Sequence, residues 1–160
     1  MQYYIFTLCN YFFQPFFVIP FFLTVRSHFG DIINSGYDAI IIGPGLGRNE
    51  QTVCLVHKLI RNAHVPLIID DRVDVALAID AEGVHVGQSD MPVSLARKLM
   101  GKGKIVGATA KTVLQAKEAY EQGADYLGVG AIYPTTTKVK TVATSADTLR
   151  DICNAVPIPV

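Results

Sequence analysis

From Tyr37 onward, short apolar runs rich in β-branched residues alternate with stretches whose apolar positions recur every three or four residues. The runs AIIIG (39–43), VPLIID (65–70), GVHVG (83–87), KIVGATA (104–110), YLGVGAIY (126–133) and IPV (158–160) predict strands. Between them, Val53, Val56, Leu59 and Ile60, then Val93, Ala96, Leu99 and Met100, then Val113, Ala116, Ala119 and Tyr120 predict amphipathic helices. Ser89 or Asp90 can cap the second of these with Pro92 in its first turn; Gly101 ends it, and Gly123 ends the next. Such alternation predicts an α/β fold whose parallel sheet is buried on both faces. A strand about every 20 residues fits the (β/α)8 TIM-barrel type. With about six strands in the chain, that barrel is incomplete.

The first thirty residues obey a different rule. All 8 phenylalanines lie between Phe6 and Phe29, and no charged residue precedes Arg26. Tyr3 to Val25 is long enough to cross a bilayer, for which about 20 apolar residues are needed. However, Asn10, Gln14, Pro15 and Pro20 interrupt a helix, and no basic residue precedes the apolar core as a secretory signal requires. Residues 1–30 are therefore set apart as a hydrophobic segment of unknown role. Membrane association of 1–25 stays open, but a segment with no part in the soluble fold is the favoured reading.

The 14 basic residues balance 14 acidic ones, which excludes a nucleic-acid binder working through bulk positive charge. Cys9, Cys54 and Cys153 are odd in number and widely spaced, so neither a disulfide framework nor a zinc site follows. A reducing, cytoplasmic setting is the expectation, and Cys54 is expected to be packed on a helix edge.

Polar residues gather after the strands. Asp70 and Asp71, Gln88 to Asp90, Thr109 and Lys111, and Pro134 to Lys138 each follow the carboxyl end of a strand, the edge at which parallel α/β folds do chemistry. Asp71 and Asp90 suit Mg²⁺, a hard ion usually held by one or two carboxylates plus substrate phosphates. They equally suit structural duties, Asp90 capping the next helix and Asp71 pairing with Arg72. PTTTK (134–138) has the hydroxyls, amides and lysine of an anion cradle, and also the composition of a solvated loop. GPGLG (43–47) fails the dinucleotide fingerprint because Arg48 stands at the sixth position. His85, inside a strand, is expected to be a packed core residue.

From about residue 64 to residue 160 the chain closely resembles thiamine-phosphate synthase, through PLIIDDRVDVALAIDAEGVHVGQSDMPVSLARKL (66–99), GATAKT (107–112), GADYLGVGAIYPTTTK (123–138) and the final DICNAVPIPV. The resemblance implies a Mg²⁺-dependent transferase of thiamine biosynthesis. It would join a hydroxymethylpyrimidine diphosphate to a thiazole phosphate, giving thiamine phosphate and diphosphate. Its partners would be small phosphorylated substrates, and it could form a homo-oligomer. The resemblance makes Asp71 and Asp90 metal ligands and puts Thr109 where the family has a serine contacting the pyrimidine. Thr135, Thr136 and Thr137 match a loop that binds the thiazole phosphate, and Lys138 matches a lysine on the diphosphate. Asp70 stands at a substrate-contacting asparagine of the family, adding a negative charge beside Asp71. The family's glutamine–arginine–lysine cluster has no counterpart before residue 64, and further strands would follow Val160. An inactive or regulatory fragment is therefore a second reading, and a thiazole tautomerase a third.

SGYDAIIIGPGLGRNEQT (35–52) resembles instead the glycine-rich stretch of ADP- or ATP-dependent NAD(P)H-hydrate dehydratases. Residues 31–160 thus form one partial barrel in which 31–63 are of doubtful origin, a composite join or a drifted strand and helix.

Overall fold

A computed structural model describes residues 5–6, 16–18, 39–43, 50–62, 64–130, 132 and 144–160. They fall into two compact units, residues 1–84 and 85–160.

The first unit holds strands β1 (Ile5–Phe6), β2 (Phe16–Val18), β3 (Ile40–Ile42) and β4 (Leu67–Asp70), with helices α1 (Glu50–Asn62) and α2 (Val73–Ala78). β1 runs antiparallel to β2, and β2 parallel to β3 with Phe17 opposite Ile40. Residues 5–6 and 16–18 of the phenylalanine-rich segment thus lie in strands paired with one another and with β3. Phenylalanine, isoleucine and valine, which make up β1 and β2, are residue types that favour strands. β3 and β4 are parallel, with Ile40 opposite Leu67 and Ile42 opposite Ile69. Ile40, Ile42, Leu67, Ile68 and Ile69 are all buried, as expected of strands covered on both faces.

Strand β5 (Gly83–Val86) carries the chain from one unit to the next. The second unit adds α3 (Val93–Met100), β6 (Ile105–Thr109), α4 (Val113–Glu121), β7 (Tyr126–Gly128) and α5 (Ala146–Ala155). β6 and β7 are parallel, with Gly107 opposite Tyr126 and Thr109 opposite Gly128. The core here is Ala108, Ala110, Ala116, Ala119, Ala124, Leu127, Val129, Ile152 and Val156. Alanines on α4 let it approach the sheet closely, while fully burying a side chain such as Leu127 or Ile152 contributes about 1.5–3 kcal/mol. The apolar helix stripes are narrower than their spacing predicts. Leu99 and Tyr120 are exposed, and the buried positions are Ala96, Met100, Ala116 and Ala119.

Five of the six predicted strands form, as β3 to β7. The sixth, IPV (158–160), does not form a strand among the described residues; its one ladder bond there runs from the Leu127 amide to the Pro159 carbonyl at 2.9 Å. The two prolines flanking Ile158 leave few amides to continue a ladder. The fold is α/β, with β2–β3, β3–β4 and β6–β7 paired in parallel. No helix among the described residues is long and apolar enough to cross a membrane.

At the amino ends of the strands a small device recurs once in each unit. Glu82, just ahead of β5, accepts a hydrogen bond from the Leu67 amide at the start of β4, 2.8 Å. Asp125, just ahead of β7, accepts one from the Val106 amide near the start of β6, 2.7 Å. Each carboxylate satisfies a strand amide that would otherwise be left unpaired.

Candidate active site

The carboxyl end of β4 closes in an unusual turn. The Arg72 amide donates to the Asp70 carbonyl at 2.8 Å across Asp71, whose φ is +65°. A three-residue turn around a positive-φ centre is a strained γ-type arrangement. Aspartate tolerates that region better than most residues, and strain of this kind concentrates at functional sites. The Asp70 side chain lies against Gly43, where a Cβ would come within 2.9 Å of its Oδ2. Arg72 does not pair with Asp71. It makes a two-point bond to Asp74, 2.7 Å from Nε to Oδ1 and 2.5 Å from Nη2 to Oδ2. This bond, made on the surface, holds the Asp74 carboxyl down at about 2.

After β5 the chain turns back on itself. The Gly87 amide donates to Asp90 Oδ2 at 2.9 Å, and the Asp90 amide to the Gly87 carbonyl at 3.2 Å. A Cβ at Gly87 would stand 2.6 Å from that carboxylate oxygen, so any other residue there would push the Asp90 carboxylate out of this position. The expectation that Asp90 caps α3 is corrected: Pro92 takes the cap position, with no side-chain cap. Gly87 captures the carboxylate first, because the Gly87–Asp90 turn closes before the helix begins. Asp90 is exposed, and its other oxygen has no protein donor among the described residues.

Thr109 ends β6. Its carbonyl accepts from Gln88 Nε2 at 2.5 Å, and its hydroxyl lies 3.0 Å from His85 Nε2. His85 Nδ1 lies 3.0 Å from the Tyr126 hydroxyl. His85 is thus not an inert packed residue but a half-buried ring engaged at both nitrogens. Glycine again makes the room. A Cβ at Gly107 would overlap the Tyr126 ring, and one at Gly128 would stand 3.0 Å from His85 Cε1. Sequence reasoning missed this chain because its partners are 41 and 24 residues from His85. The usable signal was a glycine inside β6 and another ending β7, where a ring can pass.

Cys54, expected to be packed, is exposed on α1. Thr135, Thr136, Thr137 and Lys138 lie outside the described residues, as does most of GPGLG. Among the described residues no group of three or more histidine, cysteine, aspartate or glutamate side chains could hold a metal. The donors that the carboxyl ends of β4 and β5 do offer are hard carboxylate oxygens, one or two of which suffice for Mg²⁺ when phosphates complete the shell.

Residues 48–160 match the thiamine monophosphate synthase family. The chain belongs to that family. The family match begins well before residue 64, so it takes in α1 and part of the stretch of doubtful origin. Among curated thiamine monophosphate synthase relatives, thiamine-phosphate synthase 2 of Streptococcus pneumoniae is 60% identical over 96 residues, which is 60% of this chain and 46% of that protein. Thiamine-phosphate synthase of Clostridium tetani is 54% identical over 97 residues, 61% of this chain and 46% of that protein. The chain thus spans about half the length of the curated relatives it matches. Among solved structures, thiamine phosphate pyrophosphorylase from Pyrococcus furiosus superposes with a TM-score of 0.68 at 32% identity, covering 89% of this chain and 71% of that one.

Proposed function

We propose that this chain acts as a thiamine-phosphate synthase, coupling a hydroxymethylpyrimidine diphosphate to a thiazole phosphate. The observation that carries the reading is the Asp90 carboxylate, fixed by the Gly87 amide at the carboxyl end of β5 with one oxygen left to coordinate, in a chain of this family. Asp71 and Asp90 are the proposed Mg²⁺ ligands, and bound Mg²⁺ would supply positive charge to the departing diphosphate. The strained turn presents Asp71 at the end of its strand, and Gly43 gives Asp70 its place beside it. Thr109 is proposed to contact the pyrimidine, Thr135 to Thr137 the thiazole phosphate, and Lys138 the diphosphate.

In the reaction the C–O bond to diphosphate breaks and a C–N bond to the thiazole forms, the electron pair of the first leaving with the diphosphate. The chain's task is to hold the leaving group's charge and align the thiazole nitrogen with the methylene carbon. The test is detection of thiamine phosphate from purified chain, both substrates and Mg²⁺. Asp90→Ala should abolish turnover and leave the melting temperature within a few degrees of the parent, since Asp90 is exposed and caps no helix. Unchanged turnover in that variant refutes the metal assignment. A folded parent chain that makes no product favours instead a fragment that binds phosphate ligands without coupling them.

A further inference from the structure

We infer that Tyr126, His85 and Thr109 form a polarised hydrogen-bond relay that leaves the Thr109 hydroxyl as a donor for a partner outside it. All three belong to the second unit, and His85 bridges the other two at 3.0 Å on each ring nitrogen. A neutral imidazole has one donor and one acceptor nitrogen, and the bond made at one fixes the role of the other. The proton's place is therefore an inference from the partners.

The two partners are chemically unequal. A phenol oxygen shares its lone pairs with the ring and carries an acidic proton, so it is a better donor than acceptor. An aliphatic hydroxyl donates and accepts about equally well. The arrangement with the stronger donor used as donor has the Tyr126 O–H donating to His85 Nδ1. Nε2 must then carry the proton and donate to Thr109 Oγ1. With one lone pair engaged by the imidazole, the Thr109 proton is left for a partner outside this chain of bonds. The reversed relay would consume that proton on Nε2 and leave Thr109 with lone pairs only.

The surroundings hold the relay in register. The Tyr126 ring occupies the space over Gly107, and His85 Cε1 the space over Gly128. The ring planes of His85 and Tyr126 lie with centroids 5.4 Å apart and tilted by 37°. Gln88 fixes the Thr109 backbone from the other side through its carbonyl. Each ring is thus packed close over a glycine. Half-buried Thr109, the last residue of β6, thus presents a directed donor at the carboxyl end of its strand. It would receive an acceptor atom of the substrate, a heteroaromatic nitrogen or an anionic oxygen. His85 and Tyr126 act only through Thr109 and are positioning residues.

The last step rests on Thr109 contacting substrate, as proposed above; the proton's place does not. The first measurement is accordingly a ¹H–¹⁵N long-range correlation spectrum of the whole chain without ligand. The expected pattern for His85 is a protonated Nε2 and a bare Nδ1, with Tyr126→Phe losing that fixed pattern. A protonated Nδ1 in the parent overturns the relay whether or not the chain turns over substrate. The second measurement is a double-mutant cycle in the coupling assay. Tyr126→Phe and Thr109→Val should each lower kcat/KM about tenfold, the size of one neutral hydrogen bond. The double variant should lose little more than Thr109→Val alone. Losses that multiply instead would show that Tyr126 does not act through Thr109, and would overturn the positioning role.

Discussion

The two ends of strands β5 to β7 are both rich in polar groups, yet they use them in opposite ways. At the amino end, Arg97 of α3 donates to the carbonyls of Gly123 (3.0 Å), Gly101 (2.9 Å) and Lys104 (2.6 Å), and pairs with Asp125. Asp125 in turn takes the Val106 amide. One guanidinium, with its fork of donors, ties the end of α3, the start of β6 and the α4–β7 turn into a closed set. At the carboxyl end the polar groups are just as well placed but the set is open. Asp90 keeps an oxygen with no protein donor among the described residues, and Thr109 holds a hydroxyl proton for an outside group. In this unit, saturation marks the end that holds the fold and a deliberate remainder marks the end that could work on a ligand, the division of labour expected of strands in barrel-type folds.

The largest effect that would break this comparison comes from the closed end. Arg97→Ala removes the donor of the three carbonyl bonds and leaves Asp125, half exposed, without its cation. It should cost about 2–4 kcal/mol, below the full value for a buried pair because Asp125 reaches solvent. Urea unfolding should show the loss, while turnover per folded molecule stays at the parent's level. A variant that unfolds normally but loses turnover would mean that the two ends are not separable.

Next in size is the interlock at the open end. A Cβ at Gly107 overlaps the Tyr126 ring, which is buried and cannot step aside into solvent. Gly107→Ala should cost about 1–3 kcal/mol by overpacking. Unlike Arg97→Ala, it should also disturb the His85 spectrum, because Tyr126 is displaced from Nδ1. An alanine accepted with both stability and spectrum unchanged would show that the ring has slack, and that glycine here is not what sets the relay.

These contrasts explain which parts were readable from the chain. Strands β3 to β7 announce themselves as apolar β-branched runs, and the carboxyl-end clustering of Asp70, Asp71, Asp90 and Thr109 follows from counting along them. The capping alternative for Asp90 and the inert packing expected of His85 both fail against the structure, because residue type and spacing along the chain do not say which glycine leaves space for which side chain. Gly87 lets Asp90 fold back within a single turn, whereas Gly128 admits His85 only once β5 and β7 are in place. The strands in the phenylalanine-rich segment were hidden differently. Continuous apolar runs give no alternation, so pairing, not pattern, decides them. Arg97 gave no signal at all, since its partners are mostly backbone carbonyls.

The smallest expected effect tests whether a polar contact beside the candidate site is part of either scheme. Arg72 follows Asp71 directly, but its side chain goes to Asp74 in the first turn of α2. The hydrogen bond from Arg72 is the main cause that lowers the Asp74 carboxyl from its ordinary 3.8 to about 2. A carboxyl depressed on folding adds stability above its unfolded value and loses it as the pH falls through the folded one. Melting temperatures of the parent and Asp74→Asn should therefore differ slightly at pH 6 and converge between about pH 4 and pH 2. Both side chains are well exposed, so added salt should shrink the difference at pH 6 as well. Turnover at neutral pH should not change, because Arg72 reaches away from Asp71. A loss of turnover in Asp74→Asn would instead tie this surface pair to the orientation of Asp71, and the remainder that distinguishes the working edge would then extend one residue further along the chain.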